Sequence, residues 1–194
     1  MKHAIIAAHP KAQSFTMAVA GAYAEAAVNR GHSAILRDLY RMNFAPSLDA
    51  TEMVGPSGFS PGRDVLEERR ILADAQVFVF VYPFWLYAQP AMLKGYIDRV
   101  FGIGFAYGSG RGANAPLLSG RKMISFTSSG APTEWMRGTG NWDAAVQLFD
   151  KYFAAVCGLE VVDHVHFGGV VPGIRADVVQ SHLAKVREAV DRHF

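Results

Sequence analysis

Val77-Phe78-Val79-Phe80-Val81-Tyr82-Pro83-Phe84-Trp85-Leu86-Tyr87-Ala88-Gln89-Pro90, running into Ala91-Met92-Leu93-Lys94-Gly95-Tyr96-Ile97-Asp98-Arg99, is the stretch that decides the fold. Its first five residues are an unbroken run of β-branched and aromatic side chains, the pattern of a strand buried on both faces. Pro90 then opens a helix at a position where its missing N–H costs no hydrogen bond. Between strand and helix, four large rings (Tyr82, Phe84, Trp85 and Tyr87) gather at the carboxyl edge of the strand. Open α/β sheets bind their ligands at that edge, and a flat ligand suits such a loop.

Outward from this unit, strand and helix signals alternate along the whole chain. Residues 2–8 predict the first strand, and Ser14 caps a helix over 15–30 that Gly31 ends. Strands are expected at 33–38, 76–82, 123–127 and 159–167, with helices at 63–74, 90–101, 142–157 and 175–193. Residues 40–62 break the pattern with closely spaced prolines and glycines. Such a long excursion is expected to cover part of a site or a partner subunit. Five strands and five helices in this order predict an α/β three-layer sandwich. Its five-stranded parallel sheet has the order 2-1-3-4-5 with helices on both faces, over one domain of residues 1–194.

A chain of 194 residues, 51% hydrophobic and 19% charged, has enough apolar material for a packed core and is unlike disordered sequence. The apolar surplus suits a subunit interface. A net charge of +2 with scattered basic residues gives no footprint for nucleic acid. No apolar run reaches the ~18 residues a membrane span requires, and residues 4–8 are too short for a secretory core, so a cytoplasmic location is expected. The single cysteine, Cys157, sits in an apolar helical stretch and is expected to be buried and inert.

The turn His9-Pro10-Lys11-Ala12-Gln13-Ser14-Phe15-Thr16 joins the first strand to the first helix. Free backbone N–H groups and the positive end of a helix dipole at such a junction suit a phosphate. Ser14 and Thr16 can add hydroxyls, and Lys11 or His9 can add charge. The plain alternative is that Ser14 only caps the helix. Other patterns carry less. Residues 108–113 fit G-x-G-x-x-A but follow a helix rather than a strand, and are expected to form a flexible loop. His164 and His166 share a face of the last strand without an evident cysteine or acid cluster, and are expected to be surface or edge histidines; no metal site is expected. Lys94 and Asp98 are expected to form an ordinary surface pair.

Several motifs together resemble one family. Ala8-His9-Pro10 with Ser14-Phe15, then Asp38-Leu39-Tyr40 with Met42-Asn43-Phe44, appear near the start. The Pro83–Phe101 run follows, with Pro90-Ala91 and Leu93-Lys94-Gly95-Tyr96, and then Gly104-Phe105-Ala106-Tyr107 and Thr127-Ser128-Ser129-Gly130. In this order they resemble the NAD(P)H:quinone oxidoreductases of the flavodoxin-like superfamily. The resemblance implies a flavodoxin-like fold, a flavin (FAD first, FMN as the alternative) and NAD(P)H as electron donor. It also implies a quinone or similar planar aromatic acceptor, and a homodimer. His9, Lys11, Ser14 and Phe15 would hold the cofactor phosphates. Backbone groups of Pro83, Phe84 and Trp85 would face the flavin edge, with Leu86, where relatives usually carry an aromatic, and Tyr87 lining the pocket. Thr127, Ser128, Ser129 and Gly130 would let backbone N–H groups approach the ring.

One departure concerns the catalytic positions. Relatives that relay protons carry a tyrosine and a histidine where Trp135 and Asn141 stand here. Indole does not titrate and an amide only hydrogen-bonds. Tyr107 matches a residue that helps close the substrate pocket, often across the dimer interface. Two other roles remain open under the resemblance: a flavin-binding regulatory partner of a potassium-efflux transporter, or a nitro- or azoreductase.

Overall fold

The computed structural model describes residues 1–55, 59–108 and 115–194, so residues 109–114, most of the expected flexible loop, lie outside the described residues. The strands are β1 (Lys2–Ala7), β2 (Ser33–Asp38), β3 (Val77–Pro83), β4 (Lys122–Ser128) and β5 (Glu160–Phe167). They form one sheet in the order β2-β1-β3-β4-β5, every neighbouring pair parallel, as the sequence predicts. The helices are α1 (Phe15–Asn29), α2 (Arg63–Leu72), α3 (Ala91–Val100), α4 (Thr133–Gly138), α5 (Asn141–Val146), α6 (Ala154–Cys157) and α7 (Ala176–His193). None of the described helices is long and apolar enough to cross a membrane.

The unbroken apolar run of β3 is explained by its alternation. Val77, Val79 and Val81 join Ile5, Ile124, Val19 and Tyr23 of α1 and Val186 and Val190 of α7 in one core. Phe78, Phe80 and Tyr82 point the other way, into a second core with Leu72 of α2, Leu93 and Tyr96 of α3, and Phe149. Successive strand residues face opposite sides, so a strand covered on both sides must be apolar throughout.

Two features depart from the sequence expectation. The helix α4 lies in a stretch with too few apolar residues to show a period. The helix expected over 142–157 is real but interrupted: α5 passes into a π turn at Gln147–Phe153 before α6 resumes. The wider turn aligns residues four apart. Phe149 and Phe153 therefore stack at 5.0 Å with 3° between their planes, and both meet Phe80 edge-on at 5.2 and 5.8 Å. It also turns Asp150 inward, where it is buried. A single inserted residue of this kind leaves no mark on a 3.6-residue pattern, and such turns cluster at functional sites. Cys157 is fully buried, and burial pushes its thiol up to about 12, as befits an inert packing residue.

The excursion between β2 and α2 is anchored to α3 by Arg99. Its guanidinium donates to Glu52 at 2.8 and 2.9 Å, to Asp64 at 2.7 and 2.9 Å, and to the Ala45 carbonyl at 2.6 Å, so all five N–H groups are used. Phe44 lies under the same group at 5.0 Å. Gly95 lets the chain come this close: a Cβ there would stand 2.0 Å from the Pro46 carbonyl oxygen. With Tyr107 and Arg69, the excursion lines a groove of about 320 Å³. Hydrogen bonds from Arg99 pull the Glu52 carboxyl down to about 2 from its ordinary 4.5.

Removing one partner of a buried ion pair costs roughly 3–5 kcal/mol, so Arg99→Met is expected to lose about that much in urea unfolding at neutral pH. Because the folded pKa of Glu52 lies below the unfolded one, its contribution is complete above pH 4.5 and disappears as pH falls toward 2. The variant should therefore lose less stability than the wild type between those limits. A neutral-pH loss under about 1 kcal/mol would contradict the anchoring role.

Candidate active site

Three turns leave the carboxyl edge of the sheet side by side, after β1, β3 and β4. The strand ladder continues into each of them. Ala8 N–H donates to the Val81 carbonyl at 3.1 Å, Phe84 N–H to Ser128 at 2.7 Å, and Ser129 N–H to Phe167 at 3.0 Å. The turns are thus held as rigidly as the strands they extend.

In the turn after β1, the ring of His9 accepts at Nδ1 from the Lys11 N–H, 3.1 Å away. Arg41 braces this turn from behind: it donates to the Pro10 carbonyl at 2.8 Å and to the His9 carbonyl, while its Nε is held by Asp38. Sequence reasoning noted Asp38 and Tyr40 but passed over Arg41. Burial, then the positive charges of Lys11 and Arg41, lower the His9 pKa against a hydrogen bond with Lys11 that raises it. Ser14 caps α1 by accepting from Met17 N–H at 3.2 Å. The N–H groups of Phe15 and Thr16 bond to no described residue, as is usual for first-turn donors, and Lys11 in the same turn is exposed. Phe15 packs edge-on against Phe167 at 5.4 Å. A groove of about 510 Å³ runs past Gln13, Ser14 and Phe15 toward Ile174 and Val179.

The turn after β3 is tight. Trp85 and Ala88 exchange N–H to carbonyl bonds at 3.1 Å in both directions. Leu86 and Tyr87 between them sit at φ 51° and 60°. Two consecutive positive φ values make a type I′ turn, which normally selects Asn-Gly. Placing a leucine and a tyrosine there costs roughly 1–3 kcal/mol each. The turn leaves the Leu86 side chain 99% exposed and Trp85 44% exposed. Tyr87 stacks on Trp135 at 6.0 Å and 27°, and Trp85 approaches the His9 ring at 6.1 Å. The loop therefore offers rings more than backbone. Pro83 has no N–H, and the N–H groups of Phe84 and Trp85 are already used within the protein. Of the backbone groups expected to face a ligand edge, these two N–H donors are therefore spent within the protein. Phe84 itself is buried, stacked on His166 at 5.4 Å.

On the turn after β4, Thr127 and Ser128 are buried and the Ser129 N–H is engaged. The N–H groups of Gly130 and Ala131 bond to no described residue. Trp135 lies in the first turn of α4 and Asn141 opens α5; they meet through Thr139, which donates to the Trp135 carbonyl at 2.9 Å and accepts from the Asn141 amide at 2.8 Å. Tyr107 is not brought to these turns. It lines the groove under the excursion and a second groove of about 510 Å³ beside Gln89, Leu148 and Tyr152.

His164 and His166 stand on the edge strand β5, one of the two places expected for them, but their side chains turn inward. Both bond to the Thr127 hydroxyl, at 2.8 and 2.9 Å, and the His164 Nδ1 meets Asp150 at 2.5 Å. The side chains of His164 and Asp150 are only 6% and 5% exposed. Burial, then neighbouring His164 and Arg137, lower the His166 imidazole to about 4, which leaves it neutral. The two histidines were visible as a pair in the sequence. Their acid was not, because only the π turn brings Asp150 inward. Among the described residues no cluster suited to a metal ion occurs.

The family model described as flavodoxin-like fold matches residues 1–191. An uncharacterized NAD(P)H oxidoreductase of Haemophilus influenzae is 32% identical over 171 residues, covering 88% of this chain and 85% of that protein. The uncharacterized NAD(P)H oxidoreductase YcaK of Escherichia coli is 31% identical, covering 96% and 95%. The solved NAD(P)H:quinone oxidoreductase from Methanothermobacter marburgensis superposes with a TM-score of 0.87 at 29% identity, covering 100% of this chain and 98% of that one.

Replacing Leu86-Tyr87 by Asn-Gly should relieve the strained turn. The double variant is expected to gain about 1 kcal/mol or more, a rise of roughly 2–4 °C per kcal/mol in thermal unfolding. A lower melting temperature would show that packing of the two side chains outweighs the strain.

Proposed function

The chain belongs to the flavodoxin-like fold family, and on that premise we propose that it is a flavin-dependent NAD(P)H oxidoreductase acting on a quinone or similar planar acceptor. The observation that carries this reading is the convergence of three ladder-fixed turns on one sheet edge. One brings a helix N-terminus with open N–H groups, and Lys11 in the same turn; another brings the Trp85 and Tyr87 rings. That donor set fits a phosphate at one end and a flat ring system at the other.

In this reading the N-terminus of α1 and Lys11 hold the flavin phosphate, with His9, Ser14 and Phe15 shaping the turn. Trp85, Leu86 and Tyr87 flank the ring. Ser128 and Ser129 fix the third turn, so that the open N–H groups of Gly130 and Ala131 are available to the polar end of the flavin. FAD is the first choice and FMN the alternative. The flavin supplies the capacity to accept hydride from NAD(P)H and pass it on, in two half-reactions at one pocket. The sum is NAD(P)H + H⁺ + quinone → NAD(P)⁺ + hydroquinone. The protein orients donor and acceptor against aromatic walls and excludes water from the transfer. Trp135 contributes a ring to that wall but no titratable proton, and the Asn141 amide is committed to Thr139.

The same two residues favour a second reading, a flavin-binding regulatory subunit of a transporter in which turnover is incidental. NAD(P)H oxidation by flavin-loaded protein with menadione separates the two: steady turnover is expected, and its absence would favour the regulatory role. Comparing nitroaromatic and azo acceptors in the same assay tests the acceptor class. Loss of ring stacking is worth about 1–3 kcal/mol, so Trp85→Ala should weaken flavin affinity by about tenfold to a hundredfold. Unchanged affinity would displace the loop from the site.

We propose further that the chain pairs with a second copy of itself. Leu148 and Tyr152 are 71% and 68% exposed along the groove that Tyr107 lines, an apolar face of the kind a subunit covers. Tyr152→Glu should shift the species in analytical ultracentrifugation from dimer to monomer. A dimer that persists would place the interface elsewhere.

A further inference from the structure

A chain of five contacts joins Asp150 to the third turn. Asp150 Oδ2 meets His164 Nδ1 at 2.5 Å, His164 Nε2 meets Thr127 Oγ1 at 2.8 Å, and Thr127 Oγ1 meets His166 Nδ1 at 2.9 Å. His166 Nε2 then meets Ser129 Oγ at 3.0 Å, and Ser129 Oγ meets the Ala131 carbonyl at 2.8 Å. The directions of these bonds are coupled. A hydroxyl has one proton to give, and a neutral imidazole has one N–H and one lone pair.

With His164 neutral, its Nδ1–H goes to Asp150 and its Nε2 accepts from Thr127. The Thr127 oxygen then accepts from His166 Nδ1–H, and His166 Nε2 accepts from Ser129. Ser129 has nothing left for Ala131. With His164 protonated, every bond beyond it reverses: His164 Nε2–H donates to Thr127, Thr127 to His166 Nδ1, His166 Nε2–H to Ser129, and Ser129 to Ala131. Only the protonated arrangement fills all five contacts. His166 stays neutral in both and changes only its tautomer.

We propose that Asp150, His164, Thr127 and His166 form a proton-coupled relay that positions the Ser129 hydroxyl and, through it, the Ala131 carbonyl of the third turn. Ser129 is buried, with Met136 Sδ at 3.4 Å from the same hydroxyl, so the relay acts within the protein. The proton gained or lost at His164 changes only which atom each hydroxyl and imidazole donates to. These are positioning residues.

Other features of this pocket agree. Asp150 Oδ1 is buried without a partner among the described residues, and the buried Tyr82 hydroxyl has at best a weak contact with Gln89. Purely structural polar groups are seldom left so. Burial, then the facing Asp150 carboxylate, push the Tyr82 hydroxyl well above its ordinary pKa, so Asp150 finds no second acid there. His164 is faced by Asp150 from the π turn, Thr127 from β4, His166 along β5, Trp142 from α5 and Phe84 from the end of β3. Asp163 accepts the His164 backbone N–H and is itself held by His193 of α7, with Arg192 of α7 at 3.9 Å, while Arg137 of α4 acts on His166. The hydrogen-bonded acid nearest the His164 ring is therefore Asp150.

Nitrogen-15 NMR of the histidine side chains, followed against pH in the purified protein, tests the relay directly. As His164 gains its proton, His166 should remain neutral while its protonated nitrogen changes from Nδ1 to Nε2. In Thr127→Val, His166 should keep one tautomer across the same pH range. Retention of one tautomer throughout in the wild type, or an exchange that survives in Thr127→Val, would overturn the proposal. Should Thr127→Val fail to fold, Ser129→Ala decides. It removes two bonds from the protonated arrangement and one from the neutral, so the exchange midpoint should fall by about half to one pH unit; an unmoved midpoint would overturn the relay. None of this requires flavin. A protein that shows the exchange but binds neither added FAD nor added FMN would refute the proposed function and leave the relay standing.

Discussion

Because Val77, Val79 and Val81 pack toward α1 and α7 while Phe78, Phe80 and Tyr82 pack toward the helices of the other layer, β3 is gripped from both sides. Its carboxyl end cannot move without opening two cores. That constraint passes to the neighbouring turns through the extended ladder: Ala8 bonds to Val81 of β3, and Phe84 beyond β3 bonds to Ser128 of β4. The loops at this edge are therefore fixed by the most buried part of the molecule. Rigidity of this kind supports the strained Leu86-Tyr87 turn, which would relax in a freer loop.

Arg99 plays the corresponding part on the opposite flank. Its bonds to Glu52, Asp64 and Ala45, with Phe44 beneath it and Pro46 against Gly95, hold the excursion after β2 to α3. The groove that Tyr107 lines depends on that closure. Tyr107 and the three turns are thus separate parts of one chain. The dimer proposed above gives a reason for both to exist, since a pocket closed across subunits needs residues remote from the rim that holds the cofactor.

The fold was legible in the sequence to within a residue or two at most element ends, because β3 announces double burial and each helix carries a cap or a breaker such as Ser14, Gly31 or Pro90. The excursion was recognisable as irregular, but its anchor was not: Arg99 lies far along the chain from Glu52 and Asp64, and pairing across that distance has no local signal. Of the candidate site, the three turns were readable from their positions after strands. Hydrogen-bond commitments within them were not, so the engaged amides of Phe84 and Trp85 and the brace from Arg41 came only with coordinates. His164 and His166 illustrate the limit most clearly. Their spacing was plain and their burial was not, since it follows from the π turn that delivers Asp150 and from Trp142 and Phe84 packing over the pair.

The central claim is that this edge of the sheet binds a flavin between a phosphate-binding turn and the Trp85 and Tyr87 rings. Titrating the protein into FAD and into FMN while following flavin fluorescence tests it most directly, because stacking on an indole or phenol quenches the emission. Saturable quenching at one flavin per chain, for at least one of the two, is the predicted result. Emission unchanged at every protein concentration, for both flavins, would contradict the account.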